Sequence, residues 1–339
     1  MKSVDIKEGK GPVENLYISD ETDRPSPKEG QLLVKIHAFG LNRMDILQRE
    51  GKYPLPPQAG PIMGVEFSGE VEEVGPGLDT SQWHRGDRVF GLAYGGAYAQ
   101  YITNPAAMTI RMPEELSFEQ CAGLPEVWFT AIQALYLVGN LDPAKKERVL
   151  IHAGASGVGL AAIQLCREAG CKKIYATAGS AKKLELCESM GATRAINYKE
   201  EDFGKVIQKD GEGDQEGAVD LILDFIGANY WDSNIMIAAR DCRIVYLAVM
   251  SGSKKEIEIG PILFKRLRIQ GTTLRSRDAE YQGNLRKKFE ELALQHLIEG
   301  KFKAHIDKVY DWTEIKDAQG RMERNEGDGG KIICKVIHD

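Results

Sequence analysis

From Val149 onward the chain alternates near-continuous apolar runs with amphipathic stretches, and this alternation constrains the fold more than any other feature. The runs "VLIHA", "KIYATAG", "RAINY", "VDLILDFIG", "RIVYLAV" and "LRIQGTTL" read as six strands. "VGLAAIQLCREAG" and "AKKLELCESMG" read as the first two connecting helices. Strands with no polar alternation need cover on both faces, and helical connections make neighbours parallel, so an α/β fold with a doubly wound parallel sheet is expected. On the first helix, Val158, Ala162, Leu165 and Ala169 are expected inward and Gln164, Arg167 and Glu168 outward. Gly170 is placed to end it, and the sixth strand is expected at a sheet edge.

The first 125 residues differ. "QLLVKIHAFG", "GEVEEVG", "DRVFGL" and "AYAQYIT" are short alternating segments broken by Gly and Pro, which predicts an irregular, mostly antiparallel β-domain. Mixed content returns near the end, with an amphipathic helix around "RKKFEELALQHLIEG" and a last strand "GKIICKVI". A chain of 339 residues exceeds what one core usually organises. The expected plan is a β-rich domain from both chain ends (residues 1–127 and 271–339) with the doubly wound domain (128–270) inserted.

"HAGASGVG" follows the first strand, with glycines at 154, 157 and 159. A strand, a glycine turn and a helix N-terminus make an anion site, because free N–H groups and the helix dipole face a phosphate. Gly157 and Gly159 are expected to let the phosphate approach, and Ser156 to donate its hydroxyl. The end of the second strand selects the nucleotide. NAD sites usually carry an acid there for the ribose 2′-OH. Here "TAGSAKK" offers Ser180, Lys182 and Lys183 and no acid, so NADPH is expected over NADH.

The net charge of −6 and the scattered basic pairs argue against a nucleic-acid partner. The charge-free run Val149 to Leu165 holds three glycines and polar residues and does not read as a membrane span. The charged N-terminus and six dispersed cysteines are those of a cytoplasmic chain. Cys166, Cys171 and Cys187 are expected on helices, at spacings that suit no tetrahedral metal site.

Taken together, "LNRMDILQREGKYPLPPQAG", "MGVEFSGEVEEVG", "RGDRVFGL", "PEVWFTAIQALYLVG", "HAGASGVGLAAIQL", "TAGSAKKLE", "INYKEEDF" and "LRSRD" resemble the zinc-independent quinone oxidoreductases of the medium-chain dehydrogenase/reductase superfamily. The tumour-suppressor-inducible subgroup is the nearest in pattern. The resemblance spans essentially the whole chain and implies a GroES-like catalytic domain plus a Rossmann domain. It implies Ser156, Gly157 and Val158 on the pyrophosphate, and Ser180, Lys183 and Tyr198 around the 2′-phosphate. It further implies Asn42, Thr130 and backbone groups of "LAVMSG" and "LRSR" near the nicotinamide, and Lys331 in contact with the cofactor. Zinc relatives carry a cysteine where Asn42 stands and G-H-E where Gly64–Val65–Glu66 stands, so no zinc is expected.

Without a Lewis acid, the hydride acceptor has to be electrophilic already, as a quinone is. Asn42 and Tyr53 are the expected hydrogen-bond donors to the nascent oxyanion. An NADPH-dependent enone or enoyl-thioester reductase is the nearest alternative, and a non-catalytic NADPH-binding regulatory or RNA-associated protein the next. A homodimer paired through the sixth strand is the implied assembly.

Overall fold

A computed structural model describes residues 1–211 and 218–338. The chain divides into two compact units, Met1–Phe129 with Arg275–Asp339, and Thr130–Leu274.

The first unit opens with an antiparallel ribbon of β1 (Ser3–Ile6) and β2 (Leu16–Ser19). Its main sheet then collects β3 (Gln31–Gly40), β4 (Glu66–Val74), β5 (Arg88–Leu92), β6 (Tyr101–Pro105) and β7 (Thr109–Arg111). All pairings among these five are antiparallel, as the alternating segments predict. Val34 and Ile36 of β3 point inward with Phe39, Phe67 and Tyr98, while Lys35 and His37 are half-buried.

In the second unit, β8 (Arg148–Ile151), β9 (Lys173–Ala178), β10 (Arg194–Asn197), β11 (Val219–Asp224), β12 (Ala238–Tyr246) and β13 (Arg268–Gly271) form one parallel sheet. Their order is β10-β9-β8-β11-β12-β13. Strand order reverses between β8 and β11, and in doubly wound sheets ligands bind outside the carboxyl ends of strands at such a reversal. Leu150, Ile196, Ile222 and Ile244 fill the layer against the helices. β13 is one of the two edge strands, and three of its four residues are exposed.

The helix Gly157–Glu168 departs from its expected pattern. Gln164, expected outward, is 1% exposed, and its Nε2 donates to the Leu160 carbonyl at 3.1 Å. A simple inward and outward division assumes solvent on one side. This helix is enclosed from Gly159 through Cys166, and only Arg167 and Glu168 reach solvent before Gly170 (φ +72°) turns the chain away. Cys166 and Cys187 are on helices as expected, but Cys171 lies in the turn before β9, its N–H donating to the Cys166 carbonyl at 3.1 Å.

The chain then returns to the first unit. β14 (Ile306–Asp311) pairs parallel with β15 (Lys331–Lys335), and β15 pairs antiparallel with β3, so both chain ends build that sheet. The helical run before them starts at Ala279, earlier than the amphipathic stretch suggested, and reaches Ile298 through a wide turn at Glu290–Leu294. Among the described residues no helix is long and apolar enough to cross a membrane.

Candidate active site

In the second unit, β8 ends beside a buried polar network. His152 has no exposed surface; its Nε2 lies 2.8 Å from Asn234 Oδ1 and its Nδ1 3.0 Å from Thr177 Oγ1. Asn234 Nδ2 donates to Asp224 Oδ2 at 2.8 Å, so its Oδ1 accepts and His152 carries its proton on Nε2. Burial holds the His152 pKa below the ordinary imidazole range, keeping the ring neutral. Asp224 Oδ1 accepts the N–H groups of Ile226 and Gly227. The network ties the carboxyl ends of β8, β9 and β11 together.

The glycine turn leads from there into the helix. A Cβ at Gly154 would lie 2.7 Å from Ala176 Cβ. One at Gly159 would lie 2.5 Å from the Gly154 oxygen and 2.6 Å from the Ala153 oxygen. Gly159 is therefore demanded by the turn closing on itself, a reason for glycine beside its expected role in admitting a phosphate. Ser156 is the N-cap, its Oγ accepting the Gly159 N–H at 3.1 Å, which leaves its O–H for an anion. Gly157 and Val158 are the first two helical residues, whose N–H groups have no acceptor within the helix.

The end of β9 gathers the other expected residues. A Cβ at Gly179 would meet the Tyr198 hydroxyl at 2.7 Å, so the half-exposed Tyr198 ring packs on this glycine. Ser180 follows as the N-cap of Ala181–Met190, yet its side chain makes no capping bond. Lys183 is in the first turn of that helix, and no carboxylate stands in it. Cations there oppose the helix dipole. A dianionic 2′-phosphate would accept from the uncapped Ser180 hydroxyl and from a lysine ammonium, so these residue types fit that group.

In the first unit, Asn42 caps the helix Arg43–Arg49, its N–H donating to Asp45 Oδ2 at 2.8 Å. Asn42 Nδ2 donates to Glu66 Oε1 at 2.9 Å. The Lys331 ammonium donates to Asn42 Oδ1 at 2.8 Å, to Glu66 Oε1 at 2.5 Å and to the Leu41 carbonyl at 2.7 Å. All three of its N–H bonds stay inside this unit, leaving the Lys331 stem, not its charge, for other contacts. These donors do not suit zinc: Glu66 and Asn42 offer oxygens, an ammonium already bonds both, and neighbouring Val65 is apolar. Among the described residues no group of three or more His, Cys, Asp or Glu could hold a metal ion.

Around this core stand groups that sequence reasoning passed over. Arg275 is 2% exposed; its Nε donates to the Tyr94 carbonyl at 2.6 Å and its Nη1 to Gln48 Oε1 at 2.9 Å. Its Nη2 has no partner among the described residues. Asp45 has no exposed surface and accepts from the Tyr98 hydroxyl at 2.9 Å; burial pushes its pKa up to about 6. Glu126, the second residue of the helix Pro125–Ile132, is pushed up to about 8 by burial and then by the Glu66 charge. An acid in the apolar run "PEVWFTAI" was the signal available for it. Tyr53 is half-buried beside these groups, and its pKa is raised by burial, then by Glu126. Thr130, on the same helix as Glu126 but in the second unit, is half-buried.

An antiparallel sheet domain bearing a buried acid and cation cluster, with a doubly wound domain bearing a glycine turn, defines a two-domain dehydrogenase or reductase. The alcohol dehydrogenase GroES-like domain family matches residues 28–114, and the zinc-binding dehydrogenase family matches residues 157–291. Human quinone oxidoreductase is 30% identical over 339 residues, covering 98% of this chain and 97% of that one. The crystal structure of Escherichia coli quinone oxidoreductase complexed with NADPH superposes with a TM-score of 0.85 at 26% identity, over 100% of both chains. The CurK enoyl reductase structure has a TM-score of 0.84 at 28% identity, over 99% of both chains. The chain belongs to the medium-chain dehydrogenase/reductase superfamily of oxidoreductases, among the relatives of the quinone oxidoreductases.

Proposed function

We propose that this chain is an NADPH-dependent reductase that delivers hydride to quinones without zinc. The end of β9 carries the cofactor half of the proposal: Ser180, Lys183 and Tyr198 share one place, and no acid there would repel a 2′-phosphate. The NADPH bound to the Escherichia coli relative and the name of the human one support the same cofactor and acceptor class. In this reading Ser156, Gly157 and Val158 hold the pyrophosphate. Asn42 and Thr130 are assigned to the nicotinamide end, and Lys331 to the cofactor, on family likeness.

Bound NADPH supplies a hydride. The chain's own residues orient the acceptor and stabilise the charge it gains. A quinone needs no Lewis acid, because its reduced form is aromatic and spreads its negative charge. The remaining tasks are to hold the ring at about 3–3.5 Å and to donate hydrogen bonds to the oxyanion. The Tyr53 hydroxyl makes no hydrogen bond to any described residue, and we assign it and the second Asn42 amide N–H to that donation.

The likeness to CurK enoyl reductase favours one other reading, reduction of an enone or enoyl thioester. NADPH oxidation against ortho-quinones, para-quinones, enones and enoyl thioesters separates the two, with the highest kcat/KM expected for a quinone. Ser180→Asp and Lys183→Ala test the cofactor half. Losing a charge-assisted hydrogen bond of about 1.5–3 kcal/mol is expected to weaken NADPH binding by about 10–100-fold while sparing NADH. Equal wild-type affinity for both dinucleotides would overturn it.

A further inference from the structure

Two carboxyl groups meet in the first unit, and the hydrogen-bond donors around them are unequally shared. Glu66, with no exposed surface, accepts from Asn42 Nδ2, from Lys331 Nζ and, on its other oxygen, from the Glu126 backbone N–H at 2.9 Å. Glu126 is 7% exposed, and its own carboxyl accepts no hydrogen bond from any described residue. An acid removed from water without donors loses the solvation its anion requires. The neighbouring Glu66 carboxyl, which has taken three donors, opposes a second charge further. Of the pair, Glu66 receives the donors and Glu126, without them, keeps its proton.

The charged groups around Glu126 come from several elements. Asp45 on the helix Arg43–Arg49 and Glu66 on β4 oppose its ionisation; Lys331 on β15 and Arg275, just past β13, favour it. Among the described residues neither cation bonds the Glu126 carboxyl, although Arg275 Nη2 has no partner. Lys331 directs all three N–H bonds to Leu41, Asn42 and Glu66, and Arg275 directs two groups to Tyr94 and Gln48. Tyr53 lies near enough for the Glu126 carboxyl to influence its phenol.

We propose that Glu126 is the proton donor of the reduction, an assignment that rests on the quinone reductase reading above. Hydride from NADPH brings two electrons and one hydrogen to the quinone, leaving a hydroquinone monoanion. The Glu126 O–H bond then breaks, its proton forms the second hydroquinone O–H, and the electron pair stays on the Glu126 carboxylate. Solvent returns the proton before the next turnover. The donor serves at neutral pH because its environment holds the proton there, with the pKa near about 8.

The test compares full-length wild type, Glu126→Gln and Glu126→Asp, each checked for folding by thermal melt, with NADPH and an ortho-quinone. For wild type, kcat is expected to fall once pH exceeds about 8. Glu126→Gln should lose about 10²-fold in kcat near neutral pH, as removal of a general acid does, with a flat profile and unchanged KM for NADPH. Glu126→Asp should keep a falling limb, but with a lower kcat and at a pH displaced from that of wild type, and it decides the matter should the glutamine variant not fold. A glutamine variant, or an aspartate variant in its place, with wild-type kcat and wild-type pH dependence overturns the assignment alone. A wild type that reduces no quinone overturns the reductase reading, and the assignment with it.

Discussion

The guanidinium carbon of Arg275 lies 5.4 Å from the centre of the Tyr53 ring. That contact orients a phenol whose hydroxyl is bonded to no described residue, with a buried cation on its face. Phenylalanine would keep the face and lose the donor. Tyr53→Phe is therefore expected to lower kcat/KM by less than about tenfold, the worth of one neutral hydrogen bond. Tyr53→Ala should lose more, because it also removes a cation–π contact of about 0.5–2 kcal/mol. Steady-state kinetics with a quinone checks this, and unchanged turnover in both variants would remove Tyr53 from the site.

Lys331 and Glu66 form a buried ion pair, with side chains 7% and 0% exposed. Removing one partner leaves an uncompensated charge, so Lys331→Met is expected to cost about 3–5 kcal/mol in a denaturant titration. The double variant Lys331→Met with Glu66→Gln should recover much of that loss. A single variant as stable as wild type would contradict the pairing.

Folding raises the Glu126 pKa from an ordinary 4.5 to about 8 and that of Asp45 from 3.8 to about 6, burial being the first cause in each. A carboxyl raised in this way binds its proton more tightly in the folded chain. Its stabilisation is complete below the unfolded value and is lost as pH climbs through the folded one. These two groups should therefore lower the melting temperature as pH rises from about 5 to about 8. Glu126→Gln removes the larger part, so its melting temperature should decline less and exceed that of wild type at the alkaline end. Differential scanning calorimetry across that range reads the difference; a steeper decline in the variant would refute it.

β13 leaves a strand edge open, and just before it in sequence Ile259, Leu263 and Phe264 are 72%, 72% and 78% exposed. An open edge beside clustered apolar side chains favours pairing with a second copy. Light scattering of wild type is expected to show a dimer, and Leu263→Asp with Phe264→Asp a folded monomer. A wild-type monomer at micromolar concentration would refute this.

Much of the second unit was legible because its signals are local. Val149–Ile151, the glycines that follow and the apolar runs through Arg268–Gly271 encode strand, turn and strand within a few residues each. The strand end and helix start that carry Ser180 and Lys183 were legible for the same reason, the two residues being three apart in sequence. Gln164 misled because outward on an isolated helix is not outward on one enclosed along most of its length. At Gly159 the glycine string alone did not show that the turn's own backbone also fills the space a side chain would take.

The acid and cation cluster lay beyond such reading. Asp45, Glu66, Glu126, Arg275 and Lys331 come from five separate segments, and none sits in a motif that names another. By itself the sequence determined the periodicity of its elements, because side-chain direction repeats along a strand or helix. Which acid would receive the donors and which would hold a proton was decided only when β4, β15 and the two helices closed together. Desolvation and charge depend on neighbours in space, and those neighbours exist only in the folded chain.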